Sequence, residues 1–197
     1  MTRLTRWACT MLGAAAAVGA VAVLCGCASW TERETGGGEA PAGGAFASQT
    51  VDIGVVTSNV EKAAAFYTEA LGFKEVEGFD VPAEMGKEAG LSDNQPFHVR
   101  VFVLGSEPTA TKVKLMEFPD APGAKADNAY VHSTLGLSYL TLHITDTNAA
   151  MERLKAAGVE PVANGPYDLP EGFPEGVYLT VVRDPDGNLI ELVGPKK

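Results

Sequence analysis

RDPDGNLIELVGP, residues 183–195, is the stretch on which the fold turns. Pro185 and Gly187 mark a tight turn, and NLIELV after it reads as a buried strand. An acid, Glu191, stands in the middle of that strand. Alternation puts Leu189, Glu191 and Val193 on one face and Ile190 and Leu192 on the other. A lone buried carboxylate is costly, so Glu191 points either to water or into a cavity.

Outward from this strand, the chain repeats itself. VDIGVVTSNVEKAAAFYTEALGFKEV (51–76) and YLTLHITDTNAAMERLKAAGVEPV (139–162) each open with an apolar strand and reach a cap residue, Asn59 or Asp146. Each continues as an amphipathic helix and stops at a glycine, Gly72 or Gly158. Another strand follows in each half, FHVRVFVLG (97–105) or GVYLTVVRD (176–184), and then a strand with an embedded acid, KVKLMEF with Glu117 or NLIELVG with Glu191. The spacing predicts an α+β fold made of a duplicated βαβββ unit.

Four segments, AFYTEALGF (65–73), KLMEF (114–118), ERLKAAGVE (152–160) and RDPDGNLIELVGP, make the pattern specific. Together they resemble the vicinal oxygen chelate superfamily, which includes glyoxalase I, bleomycin-resistance proteins, fosfomycin-resistance enzymes and extradiol dioxygenases. The resemblance implies one domain over residues 50–197, with units at about 50–119 and 137–195. It further implies a curved mixed sheet around a central cleft, with the helices outside.

In metal-dependent members of that family, ligands come from the first and last strands of each unit. Carried onto this sequence, the resemblance implies Asp52, Glu117 and Glu191 as metal ligands, with Glu117 and Glu191 also placed to move protons. Asp52 and Tyr139 take the two first-strand positions, where metal-dependent relatives usually have His or Gln; Asp52 can still bind a metal through oxygen, and Tyr139 is a candidate pocket residue whose hydroxyl can donate to a ligand oxygen. The set lacks imidazole, so a hard cation such as Mg²⁺, Mn²⁺ or Ca²⁺ suits it better than zinc, nickel or iron. Without such a cation, two converging carboxylates would repel and raise a pKa, and a metal-free site is the equal alternative. Thr141 and His143 share the face of Tyr139 and are candidate pocket residues, His143 also having a capping or surface role open to it near Asp146. His98 is a further pocket candidate from its place on the strand 97–105. The long loops 81–96 and 164–176 are candidate lids, with Phe79, Met85, Tyr167 and Phe173 able to cover an apolar ligand.

Composition narrows the partners. A net charge of −10 with 25 acids against 15 bases offers no basic stripe to phosphates, which excludes nucleic acid as an expected partner. Arg3 and Arg6, the apolar run 11–24 and the small residues after it read as a signal peptide over 1–26, the run being short of the roughly 20 residues of a spanning helix. Leu24-Cys25-Gly26-Cys27 resembles a bacterial lipobox, which implies cleavage before Cys27 and lipidation of its thiol. Cys9, Cys25 and Cys27 are the only cysteines, so residues 50–197 hold no disulfide. Residues 27–49, rich in Gly, Ala and Pro, read as a flexible tether.

The expected protein is thus lipid-anchored at the bacterial cell envelope, acts on a small molecule and can form a homodimer. Two functions fit it: a divalent-metal-dependent lyase, isomerase or dioxygenase, or a metal-free small-molecule-binding protein of the bleomycin-resistance type. A partner-binding lipoprotein with a vestigial cleft is a third.

Overall fold

The computed structural model describes Ser48 and residues 50–197; the expected leader, Cys27 and the rest of the tether lie outside the described residues. The first half contains β1 (Asp52–Val56), α1 (Val60–Ala65), which runs on as a π-helical turn (Phe66–Ala70), β2 (Lys74–Val81), a short α2 (Ala83–Glu88), β3 (Phe97–Val103) and β4 (Lys112–Met116). The second half contains β5 (Tyr139–His143), α3 (Thr147–Ala156), β6 (Tyr167–Asp168), β7 (Val177–Arg183) and β8 (Leu189–Pro195). This is the tandem βαβββ arrangement that the repeat predicts, with α2 added inside the first long loop.

Each half builds its own four-stranded mixed sheet, in the order β1-β4-β3-β2 and β5-β8-β7-β6. β1 runs parallel to β4 and β5 parallel to β8, while the other pairs are antiparallel. β1 and β5 are therefore both edge strands. A bulge interrupts β2 between Val76 and Phe79. Gly78 stands there because a Cβ would come within 2.2 Å of the Val99 carbonyl oxygen.

The helix boundaries follow from their caps. Asn59 Oδ1 accepts from Lys62 N at 2.9 Å, and Asp146 Oδ1 accepts from Asn148 N at 2.9 Å. Gly72 and Gly158 end the two helices at φ +81° and +69°, a conformation that side-chain-bearing residues rarely adopt. The first helix does not stay regular. The Leu71 N–H reaches back five residues to Phe66 O at 3.2 Å, while the Thr68 hydroxyl binds Ala64 O at 2.8 Å and competes for the carbonyls of that turn.

One core serves both halves. Phe66, Tyr67, Leu71, Phe73, Phe102 and Leu115 from the first join Leu142, Leu154, Val182, Ile190 and Leu192 from the second. Each fully buried side chain of this size contributes about 1.5–3 kcal/mol. Arg153 on α3 donates to Ala70 O at 3.1 Å, tying the two helices together. A smaller cluster of Val81, Val99 and Val101, with Phe97 and Met116, covers the helix-free face of the first sheet.

Candidate functional site

The turn over residues 183–188 works as a clasp. Asp184 is buried, and its carboxylate accepts from Asn188 N and Nδ2, both at 2.8 Å, and from Asp186 N at 3.0 Å. Burial pushes the Asp184 pKa up, and these hydrogen bonds only partly oppose it. Arg183 donates through Nη1 to Asn128 O at 2.6 Å and through Nη2 to Ala129 O at 2.8 Å, holding the segment between the halves. Asp186 reaches the first half, accepting from the Thr57 hydroxyl at 2.5 Å and from Ser58 N at 3.2 Å. Burial opposes ionisation of Asp186, but these hydrogen bonds from Ser58 and Thr57 prevail and its pKa is lowered. RDPDGN is thus accounted for by assembly of the two halves.

Glu191 lies on the helix-free face of the second sheet, where the Thr141 hydroxyl opposite it on β5 donates to Oε2 at 2.7 Å. The first half carries a different pair at the matching place. Its register sets Asp52 against Lys112 and Gly54 against Lys114; the second sets Tyr139 against Leu189 and Thr141 against Glu191. Asp52 and Tyr139 each stand seven residues before their helix caps, so Lys114, not Glu117, is the counterpart of Glu191. Lys114 Nζ binds Asp52 Oδ2 at 2.8 Å, with both side chains about one-third exposed.

This corrects the expected pairing of Glu117 with Glu191. Glu117 falls one residue past β4, three positions beyond the true counterpart, and an odd offset moves a side chain to the opposite face. Its Oε2 accepts from Val60 N, the first residue of α1, at 3.0 Å. Glu117 instead lines a hollow of about 560 Å³ with Thr57, Lys125 and Asp186. The expected metal ligands therefore do not converge. Asp52 holds an ammonium, Glu191 a hydroxyl and Glu117 a helix N–H, and among the described residues no three His, Cys, Asp or Glu side chains come close enough to hold a metal ion. The donor set does not fit the divalent cation.

Of the expected pocket residues, Thr141 meets Glu191, and Tyr139, half-exposed, lines a cavity between β1 and β5. His143 shares their face of β5 and is exposed. His98 departs from the expectation. Its Nδ1 lies 2.7 Å from Asp80 Oδ1 in a surface pair across β2 and β3, because its strand parity turns it away from the Val99 and Val101 face. Phe79, Met85, Tyr167 and Phe173 are all exposed. Sequence reasoning missed Lys114, although it alternates in KVKLMEF with the apolar Val113 and Leu115. It also missed Tyr67, which reads as one more apolar position of a helix.

Similar proteins agree with this architecture. Residues 49–192 match the model of the Glyoxalase/Bleomycin resistance protein/Dioxygenase superfamily. A glyoxalase family protein from Bacillus cereus is similar at 21% identity and TM-score 0.63, over 80% of this chain and 100% of that one. A domain from Frankia described as glyoxylase/bleomycin resistance protein/dioxygenase matches at 17% identity and TM-score 0.53, over 74% and 90%. A glyoxalase I mutant from Zea mays matches at 18% identity and TM-score 0.55, over 74% of this chain but 44% of its own length. These identities establish likeness of fold alone. No curated protein matches the chain. With the repeat, the two mixed sheets and a family match over residues 49–192 in agreement, the chain belongs to the glyoxalase/bleomycin resistance protein/dioxygenase superfamily.

Proposed function

We propose that this protein binds a small molecule against its helix-free sheet faces without a resident divalent metal. The observation that carries the reading is Lys114, an ammonium at the strand position that matches Glu191, already bound to Asp52. A lysine supplies fixed positive charge where a carboxylate would be needed to hold a cation. It suits an anionic ligand oxygen, while Glu191 and Thr141 offer an acceptor and a hydroxyl to a donor group on the same ligand. A lyase, isomerase or dioxygenase reaction through a bound metal, the other expected function, would require Lys114 to leave Asp52 and a third donor to be found.

Thermal unfolding of the full chain separates the two. Titration with Mn²⁺, Ni²⁺, Zn²⁺ and Fe²⁺ is expected to give no saturable stabilisation. Small carboxylates such as salicylate are expected to stabilise wild type and not Lys114→Met. A ligand present at 100 times its Kd adds about 2.7 kcal/mol. Saturable stabilisation by any one of the cations would overturn the metal-free reading.

We also propose that Cys27 carries a lipid anchor placing the domain at the bacterial cell envelope. Arg3, Arg6, the apolar run 11–24 and Leu24-Cys25-Gly26-Cys27 support it. Labelled palmitate is expected in wild type and not in Cys27→Ala; equal labelling of both would remove the anchor.

A further inference from the structure

A cavity of about 230 Å³ lies between the free edges of β1 and β5, with Ile53, Val55, Leu140 and Ile190 as apolar walls and Tyr67 beside them. A cavity of about 150 Å³ suffices for benzene, so there is room here for an aromatic ring with a short substituent. Tyr67 is 1% exposed and held in place by edge-on contacts with Phe66 and Phe73, at centroid distances of 5.5 and 5.6 Å. It sits in the π-helical turn, the one place where the first helix leaves regular geometry.

The Tyr67 hydroxyl makes no hydrogen bond among the described residues, yet no polar side-chain atom there is both sealed and unpartnered. The hydroxyl is therefore not sealed off, and Tyr67 is among the residues that line the cavity. A buried hydroxyl without a partner is costly, and an acceptor in the cavity would remove that cost. The strand edges add polar groups. Thr57 N donates to Met116 O and Ile144 N to Val193 O, each at 2.8 Å, so alternation turns the backbone N–H and C=O of Gly54 and Tyr139 away from β4 and β8, toward the seam.

We propose that this seam binds a small neutral carbonyl compound with an aromatic or branched apolar body, its oxygen accepting from the Tyr67 hydroxyl. Apolar walls disfavour a charged ligand, and Asp184 and Asp186 lie close enough to Tyr67 to act on its ionisation. Burial first, and those two acids second, push the Tyr67 pKa up, so the hydroxyl remains a donor at neutral pH. The site is independent of the metal-free reading, because Asp52, Lys114 and Glu191 do not line the cavity.

Acetophenone and isopropylbenzene, alike in shape and differing in the acceptor, test it by methyl NMR titration of the full chain. Both are expected to give NOEs to the Ile53, Leu140 and Ile190 methyls, with acetophenone bound about fivefold more tightly, the weight of one hydrogen bond. Tyr67→Phe should erase that preference, and Lys114→Met should leave it intact. The wild-type NOEs decide the location even if Tyr67→Phe proves too unstable to titrate. Failure of acetophenone to saturate, NOEs to other methyls, or an unchanged preference in a folded Tyr67→Phe variant would each overturn the assignment, the first meaning that the seam holds only water.

Discussion

The two halves share an order of strands and helices and differ in what they display. On the helix-free face, the first half sets Lys114 against Asp52 at 2.8 Å, and the second sets Glu191 against Thr141 at 2.7 Å. The first half also covers that face with the cluster around Val99 and Val101, to which a β2 of 8 residues contributes Val81. In the second half β6 has 2 residues, and Leu179, Val181 and Val193 remain only half-buried. Their helices diverge too, since α3 is regular where the first helix opens into a π turn. Strand pairing and core parity tolerate no slip, so they are preserved between the halves. A side chain on the open face touches little of the core and is free to change sign.

The sharpest way to break this comparison is at what the halves share. Leu154 is fully buried in the common core, and Leu154→Ala should cost about 2–5 kcal/mol. If the core is common, denaturant unfolding stays a single transition followed identically by probes in both halves; separate midpoints would show that each half holds its own.

The clasp is next. Asp186→Asn weakens the charge-assisted bonds from Thr57 and Ser58 and is expected to cost about 1–3 kcal/mol at neutral pH. A carboxylate whose folded pKa is depressed contributes stability that is fully present above its unfolded value and lost as pH falls through the folded one. For Asp186 the loss begins as pH falls through the ordinary carboxylate range and continues below it. Wild type should therefore lose more stability than Asp186→Asn over that acid range, and parallel profiles would sink the account. Asp184 acts in the opposite sense. Burial raises its pKa, so its own contribution is larger in acid and falls as pH rises past the ordinary carboxylate range.

A gentler test exchanges the displayed charges. Lys114→Glu recreates in the first half the acid of the second and sets it beside Asp52, which should cost about 1 kcal/mol or less at these partly exposed positions. Mn²⁺ should then raise the Tm of the variant and leave wild type unmoved. Glu191→Gln is expected to have the smallest effect, about 0.5 kcal/mol, because the amide oxygen can still accept from Thr141.

Much of the fold could be read in advance from particular residues. Asn59 and Asp146 cap as their positions predict, Gly72 and Gly158 end the helices, and the alternation of NLIELV places Ile190 and Leu192 in the core. The site is less legible in the sequence, and Glu117 shows why. An acid after an apolar pair looks alike in KLMEF and NLIELV, but which residues are counterparts depends on the pairing partners, Gly54 with Lys114 and Thr141 with Glu191. Tyr67 shows the same limit in a helix, where periodicity places the ring in the core and is silent on what its hydroxyl meets.

The sequence by itself determined the duplicated βαβββ order, the caps and the buried faces, because helix and strand periods and the conformational preferences of Asn, Asp and Gly act over a few neighbouring residues. Only the tertiary structure decided that Lys114 answers Glu191, that Asp186 fastens one half to the other, and that Tyr67 lines the cavity at the seam. Each of these depends on the register or separation of segments far apart in the chain, and no local preference encodes it.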